Sequence, residues 1–387
     1  MKSFNNGVIE LQKVLGLAKQ SWLLGAGASV ESGIPLMYPL TQRVKSRLDG
    51  QNLNIFETII SELHENAHVE HVLSHLGDLL AIAERSRNSN ARIADQEFDK
   101  AEIEGTHKAI VSCIAETIRY GYIPATAATP EKIGTADNPI VDVAMHLNFI
   151  REVFKGRSNL EPRSSVSFIT TNYDTLLEDA LAMDRRVASE GFSGGAIGYW
   201  DGQSIEPSKE SYRTHRVLKL HGSVDWIRDP ALGLLRARYG VKYLSDLSNI
   251  LIYPQATKYL ETQKDPFARI FDCFRRSIRT PNSQLLAIIG YSFGDDHINS
   301  EILGALEDPS NKLVVVAFSR EITNESGSTL PSTLRDWLSN PSFGSRIYAA
   351  TDKGIYNGNH RESPEPGNDL DWWKFGGVAK FLKSGVP

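Results

Sequence analysis

Cysteine is scarce in this chain: 387 residues carry two, Cys113 and Cys273. Two thiols cannot build a disulfide framework, and neither belongs to a Cys-x-x-Cys pair of the kind that holds zinc or does redox chemistry. Both are expected as reduced core thiols, and no metal is expected. Long apolar runs are missing as well. No uncharged stretch approaches the ~18 residues of a membrane span, and Met1-Lys2-Ser3-Phe4-Asn5-Asn6-Gly7 lacks the apolar segment of a secretion signal. The expectation is a cytoplasmic protein with no membrane contact. An excess of one charge is also absent, since 42 Lys plus Arg against 47 Asp plus Glu leaves −5. Nothing global draws the chain to a phosphate polymer, and no direct nucleic-acid binding is expected.

What is present matches average globular usage: 41% hydrophobic, 23% charged and 9% aromatic residues. At roughly 150 residues per domain, the length implies two or three units, or one large α/β domain carrying an insertion.

The first periodic segment places Val8, Leu11, Leu15 and Ala18 at helical spacing. The apolar run Ser21-Trp22-Leu23-Leu24 then reads as a buried strand, followed by a glycine loop and a helix over 41–48. Between about residues 50 and 157 amphipathic helices take over, marked by Ile55, Ile59 and Leu63, by Val69, Val72, Leu76 and Leu79, by Ile110, Ile114 and Ile118, and by Val143, Leu147, Ile150 and Phe154. Residues 85–100 and 124–138 are the expected mobile loops of this insert. Strand and helix alternation resumes with runs at 165–169, 217–220, 250–253, 285–289 and 313–318, each apolar enough for a buried parallel sheet. Helical patterns fall at 174–181, 265–278 and 297–306. The fold class is therefore α/β, a Rossmann-like doubly wound parallel sheet with a helical insertion subdomain. Its expected divisions are 1–49 and 161–320 for the sheet domain, 50–160 for the insertion and 321–387 for a polar C-terminal extension. Trp372 and Trp373 in that extension serve either a partner interface or packing against the body.

Four polar loops follow strand-like runs. In Gly25-Ala26-Gly27-Ala28-Ser29, glycines let backbone amides approach a pyrophosphate beside a helix N-terminus. Val30 stands where the common dinucleotide fingerprint has its third glycine, so a tight turn without ligand stays open. Thr170-Thr171-Asn172-Tyr173-Asp174 lies at a strand's carboxyl end, the edge where open α/β sheets bind ligands, although Asp174 also suits a helix N-cap and Asn172 a turn. Leu220-His221-Gly222-Ser223 puts a histidine at another strand end. In Gly290-Tyr291-Ser292-Phe293-Gly294-Asp295-Asp296-His297, Asp296 is the N-cap candidate. A metal held by Asp295, Asp296 and His297 is disfavoured, because adjacent side chains in a turn diverge.

Together GAGAS and SGIP (25–29 and 32–35), TTNYDTLLE (170–178), LKLHGS (218–223) and GYSFGDDHI (290–298) occur in the order of the SIR2-like, sirtuin-type family. The chain resembles the bacterial SIR2 branch linked to antiphage defence. That resemblance implies binding of NAD+ as substrate, with Gly25, Ala26, Gly27, Ser29, Pro35 and Thr171 on the phosphate and ribose side. By the same resemblance Gly290, Ser292 and Phe293 hold the adenosine, Asn172 and Asp174 serve the nicotinamide ribose, and His221 is the catalytic histidine. Two departures set this chain apart: two cysteines cannot form the four-cysteine zinc module of protein-deacylating sirtuins, and Leu36-Met37-Tyr38 replaces the Phe-Arg that commonly follows the first Gly-Ile-Pro.

The resemblance thus implies an NAD+ glycohydrolase releasing nicotinamide and ADP-ribose, acting in antiphage defence by NAD+ depletion. Control is expected from a separate partner of the HerA-type ATPase class, with the chain itself a homo-oligomer and the helical insert a lid on the cleft. The alternatives are an NAD-dependent protein deacylase and a regulatory module that binds NAD+ or ADP-ribose without turnover.

Overall fold

The computed structural model describes residues 2–155, 166–206, 213–238, 250–252, 265–279, 281–324, 327–365 and 370–387. Its centre is a nine-stranded, mostly parallel sheet. In chain order the strands are β1 (Gln20–Leu24), β2 (Ser167–Thr170), β3 (Val187–Ser189), β4 (Thr214–Lys219), β5 (Gln284–Ile289), β6 (Leu313–Ser319), β7 (Ile347–Thr351), β8 (Gly354–Asn357) and β9 (His360–Glu362). Across the sheet they run β9-β8-β7-β6-β5-β1-β2-β4-β3, with only β8 and β9 antiparallel to their neighbours. The expected α/β fold class is what the structure shows.

The helices are α1 (Lys2–Leu15), α2 (Met37–Arg47), α3 (Gly50–Glu62), α4 (Val69–Arg85), α5 (Lys100–Tyr120), α6 (Ala144–Lys155), α7 (Leu176–Met183), α8 (Phe267–Ile278), α9 (Asp296–Glu307), α10 (Ser332–Ser339) and α11 (Phe375–Ser384). Among the described residues none is long and apolar enough to cross a membrane. Local signals set their ends. The Gln20 amide donates to the carbonyls of Leu15 and Leu17 (2.7 and 2.9 Å), closing α1 and opening β1. Asp99 and Glu102 exchange side-chain and backbone hydrogen bonds (2.8 and 3.0 Å) at the start of α5.

The pleat sorts the apolar strands onto two faces. Leu23, Ile169, Leu218, Leu286 and Ile288 pack with α8, α9 and α10 on one side. Trp22, Leu24, Phe168, Val217, Leu285 and Ala287 pack with α1, α6, α7 and α11 on the other. A third core joins α2–α5 to Tyr173, Leu176 and Val224. Helix α6 therefore lies on the central sheet, with Phe149 edge-on to Trp22 at 5.1 Å. Inside the insertion, the expected loop at 85–100 contains a two-stranded hairpin, Asn90–Ile93 with Gln96–Asp99.

Two further expectations are corrected. The run at 250–253 is not a strand of the parallel sheet: Ile250–Ile252 is the edge of a separate five-stranded antiparallel sheet, paired with Gly222–Asp229. Tyr253 lies outside the described residues, as does Ser165. The section after residue 320 is not a polar tail either. It supplies β7, β8 and β9 to the central sheet, because runs such as Ile347-Tyr348-Ala349-Ala350 find a parallel edge on β6. Trp372 is fully buried there, donating from Nε1 to the Thr351 carbonyl at 2.6 Å. Trp373 lies between the Arg320 and Lys374 cations, 5.1 and 5.6 Å from its ring. Trp372 thus packs into the body, whereas Trp373 is half-buried at its surface.

Candidate functional site

The register brings the four polar loops to one level. Leu24 pairs with Thr170 on one side and Ile289 on the other, and Thr170 pairs with Lys219. Gly25, Thr171, Leu220 and Gly290 are each the next residue, so all four loops leave adjacent parallel strands at the same rung. The chain builds β2 to one side of β1 and β5 to the other, which makes the β1/β5 boundary the topological switch point where such sheets hold ligands.

Asn172 is fixed at that edge. Its Nδ2 donates to the Gly25 carbonyl (3.0 Å) and to Ser29 Oγ (2.9 Å). Ser29 Oγ in turn donates to Asp174 Oδ2 at 2.8 Å, and Asp174 Oδ1 accepts from the Leu176 amide at 3.1 Å. A carbonyl can only accept, so the amide nitrogen must face Gly25 and the oxygen Oδ1 is turned away as an acceptor. The N-cap of α7 is Thr175 rather than the expected Asp174; Asp174 takes the Leu176 amide on one oxygen and Ser29 on the other, one step behind Asn172. Thr171 and Asn172 are half-buried, whereas Ser29 and Asp174 are buried.

On the other side His221 is buried, and its Nε2 lies 3.0 Å from Asp295 Oδ2. A carboxylate accepts, so Nε2 carries a proton and donates it to Asp295. Asp295 Oδ1 accepts from the amides of His297 and Ile298 (3.1 and 3.3 Å). The N-cap of α9 is therefore Asp295, not the expected Asp296, which is exposed. One carboxylate serves cap and histidine together. Tyr291 donates its hydroxyl to the Asp295 carbonyl, and burial together with the Asp295 charge pushes its phenol well above the ordinary range.

The glycines have a definite job. A Cβ at Gly25 would lie 2.5 Å from the Gly290 carbonyl oxygen, and one at Gly27 would lie 2.8 Å from the Gly290 Cα. The amide of Gly25 is donated to Ile289 and that of Gly27 to Gly290, both at 2.9 Å. These two amides hold the loops against each other rather than facing outward. Ala26 is half-buried in the same turn, and Pro35 is buried before α2. Ser292 is exposed. Phe293 differs from the sequence expectation in its surroundings: it is buried against Tyr291 and Trp337 (5.2 and 5.8 Å) at a φ of +60°, with its carbonyl accepting from Asn299 Nδ2.

Three groups escaped sequence reasoning. Lys219, one residue before Leu220, is fully buried and donates through Nζ to Glu178 at 2.9 Å and to the Asp174 carbonyl. The carboxylates around it hold its ammonium in the charged form despite burial, while burial pushes the Glu178 carboxyl up. Tyr173, buried, donates its hydroxyl to Glu70 of α4. His146 of α6 is fully buried with Nδ1 3.2 Å from Ser32 Oγ, and burial pulls its pKa down to about 4 against the opposing Asp174 charge. Lys219 and Glu178 sit inside the quoted motifs LKLHGS and TTNYDTLLE, so a charged residue within an apolar strand was the available signal. His146 offered none beyond its place on a helix. No group of His, Cys, Asp or Glu able to hold a metal occurs among the described residues.

Residues 166–340 match the family model described as a SIR2-like domain. The match includes the loops of Asn172, His221 and Gly290 and begins after the Gly25 loop. No curated protein matches the chain. Among solved structures, a Sir2 homologue in complex with NAD shares 13% identity over 81% of this chain and 83% of its own, with a TM-score of 0.38. A sirtuin studied for substrate affinity shares 14% identity, with coverages of 80% and 87% and a TM-score of 0.35. A substituted Sir2 homologue with 2′-O-acetyl ADP-ribose shares 14%, with coverages of 80% and 83% and a TM-score of 0.36.

Proposed function

We propose that this protein is an NAD+ glycohydrolase, cleaving NAD+ to nicotinamide and ADP-ribose. One observation carries the reading: an oriented amide acceptor, Asn172 Oδ1, and a histidine polarised by a carboxylate, His221 with Asp295, stand two residues beyond the same rung on neighbouring strands. The SIR2-like match over 166–340 supports NAD+ as the ligand class.

The chemistry needs little more. Nicotinamide leaves C1′ of its ribose as a neutral molecule from a cationic pyridinium, so no general acid is required, and the transition state is oxocarbenium-like. Water adds to C1′, the C1′–N bond breaks with its electron pair going to nicotinamide, and one proton is released. Asn172 Oδ1 orients the water or a ribose hydroxyl. The neutral ring of His221 accepts the proton at Nδ1, and Asp295 stabilises the resulting cation. Asp174 and Ser29 hold the amide in its productive orientation. The phosphates are placed beside Ala26 and Ser29, since the amides of Gly25 and Gly27 are committed to the neighbouring loop.

The biological setting follows from the resemblance to defence SIR2 proteins. The protein acts in the cytoplasm by depleting NAD+ on phage infection. An unrestrained enzyme of this kind drains its own host, so it works as a homo-oligomer under a separate partner of the HerA-type ATPase class.

The test is nicotinamide release from NAD+ without acyl peptide, for wild type and for Asn172→Ala and His221→Ala. Turnover that both substitutions abolish in folded protein supports the reading. Dependence on an acyl-lysine peptide would replace it with a deacylase, and tight NAD+ binding with no release even beside a HerA-type ATPase would replace it with a binding module.

A further inference from the structure

A concavity of about 380 Å³ lies in the helical insertion, between α2, the end of α5 and the segment 133–136. None of its lining residues belongs to the candidate NAD+ site. Its size falls within the range of small-ligand pockets, on the order of 300–1,000 Å³.

Its charge is unbalanced. Arg43 and Arg47 stand one turn apart on α2, both on the wall, with Glu116 of α5 opposite. Arg47 pairs with Glu116. Arg43 rests over the Tyr122 ring at 5.5 Å, and among the described residues it meets no carboxylate. On the wall itself two guanidinium groups face one carboxylate, with Glu131 held beyond the Tyr122 ring by its hydroxyl at 3.0 Å, and the planar guanidinium forks match the oxygens of a phosphate or carboxylate. Tyr120 and Ile133 line the same space and suit the body of a small organic ligand.

The walls depend on glycine. A Cβ at Gly134 would fall 1.6 Å from the Tyr120 carbonyl oxygen, and Gly121 adopts a φ of +91°. The Gly134 amide donates to the Gly121 carbonyl at 2.9 Å, so the far wall is tied to the end of α5. The next amide, that of Tyr122, donates to the Gly33 carbonyl at 2.9 Å, at the close of the loop that carries Ser29.

We propose that this cavity binds a small phosphate monoester through Arg43 and Arg47, at a site separate from the NAD+ site and joined to its first loop through the Tyr122–Gly33 hydrogen bond. A dianionic phosphate pairs with both guanidinium groups and competes with Glu116 for Arg47. Binding draws α2 and the 121–136 segment together, and its effect passes to the Gly25 loop.

Calorimetric titration of the full-length chain with AMP, inorganic phosphate and adenosine tests this. It is done in the His221→Ala background saturated with NAD+, so that the NAD+ site cannot report. AMP and phosphate are expected to bind saturably and more weakly as salt rises, adenosine not at all. Arg43→Ala and Arg47→Ala should each weaken binding about tenfold, with Arg43→Lys intermediate because it keeps the charge but loses the fork. Both arginines are partly exposed, so thermal melting of the variants verifies that they stay folded. Absence of saturable binding up to about 10 mM ligand, or binding that survives Arg43→Ala/Arg47→Ala, overturns the proposal. Neither result depends on NAD+ turnover, so failure here and failure of the glycohydrolase reading are separately visible.

Discussion

The two arms of the candidate site are built differently. On the Asn172 arm a half-buried amide is held by a backbone carbonyl and a serine, with a carboxylate one step behind. On the His221 arm a fully buried ring meets its carboxylate directly. The first arrangement fixes the direction of a neutral amide; the second fixes a proton between a ring nitrogen and a carboxylate. An orienting group thus tolerates solvent at its edge, whereas a proton-accepting pair gains strength from the low dielectric around it. Substitutions should therefore injure the arms in different ways.

The largest effect is expected where the arms are joined. Lys219 sits on β4, the strand that leads to His221, and donates to the carbonyl of Asp174 in the other arm. Lys219→Met leaves Glu178 buried without its cation, which should cost about 3–5 kcal/mol. Equilibrium urea unfolding reads this directly. Adding Glu178→Leu should restore most of the loss, because a pair of apolar groups replaces a lone charge. If the single variant unfolds at the wild-type midpoint, the arms are not joined through this pair.

A smaller effect separates the arms by pH. His146 bonds Ser32 and feels the Asp174 charge of the Asn172 arm, and burial takes its pKa from the ordinary 6.5 to about 4 in the fold. Between those values the unfolded chain binds a proton that the native state refuses, so stability falls as pH drops from about 6.5 to about 4. The full shift corresponds to about 3 kcal/mol. His146→Gln should remove this slope from a series of unfolding midpoints, and an unchanged slope would assign the acid sensitivity to another group.

How much of this was legible in the sequence depends on what each residue's role is made of. The parallel strands were readable because runs such as Leu285-Leu286-Ala287-Ile288-Ile289 can only be buried on both faces. The loops at Gly25, Asn172, His221 and Gly290 were readable because each follows such a run. The His221–Asp295 pair was not, since 74 residues separate its members and the sequence pointed to Asp296 as the cap. Nor was the commitment of the Gly25 and Gly27 amides to the neighbouring loop, which depends on strand register rather than on residue type. The C-terminal strands were obscured because β8 and β9 are short and mixed in polarity, and only the edge of β6 gives β7 its place.

The smallest effect sharpens the comparison most. Ser29→Ala removes the hydroxyl between Asn172 and Asp174 but leaves the Asn172 bond to the Gly25 carbonyl. The fold should lose about 1 kcal/mol for the broken hydrogen bonds. On the glycohydrolase reading, turnover should fall roughly tenfold, in kcat rather than KM, because the amide keeps its bond to Gly25 but is less well oriented. The pH profile of kcat should keep its shape, since the proton belongs to the other arm. Asp295→Asn gives the contrast: the amide can no longer act as a charged partner for Nε2–H, so the ring loses its fixed tautomer and the acid limb should move. A Ser29→Ala profile that shifts along pH, with Asp295→Asn unmoved, would reverse the assignment of the arms and make Asp174 the group that governs the proton.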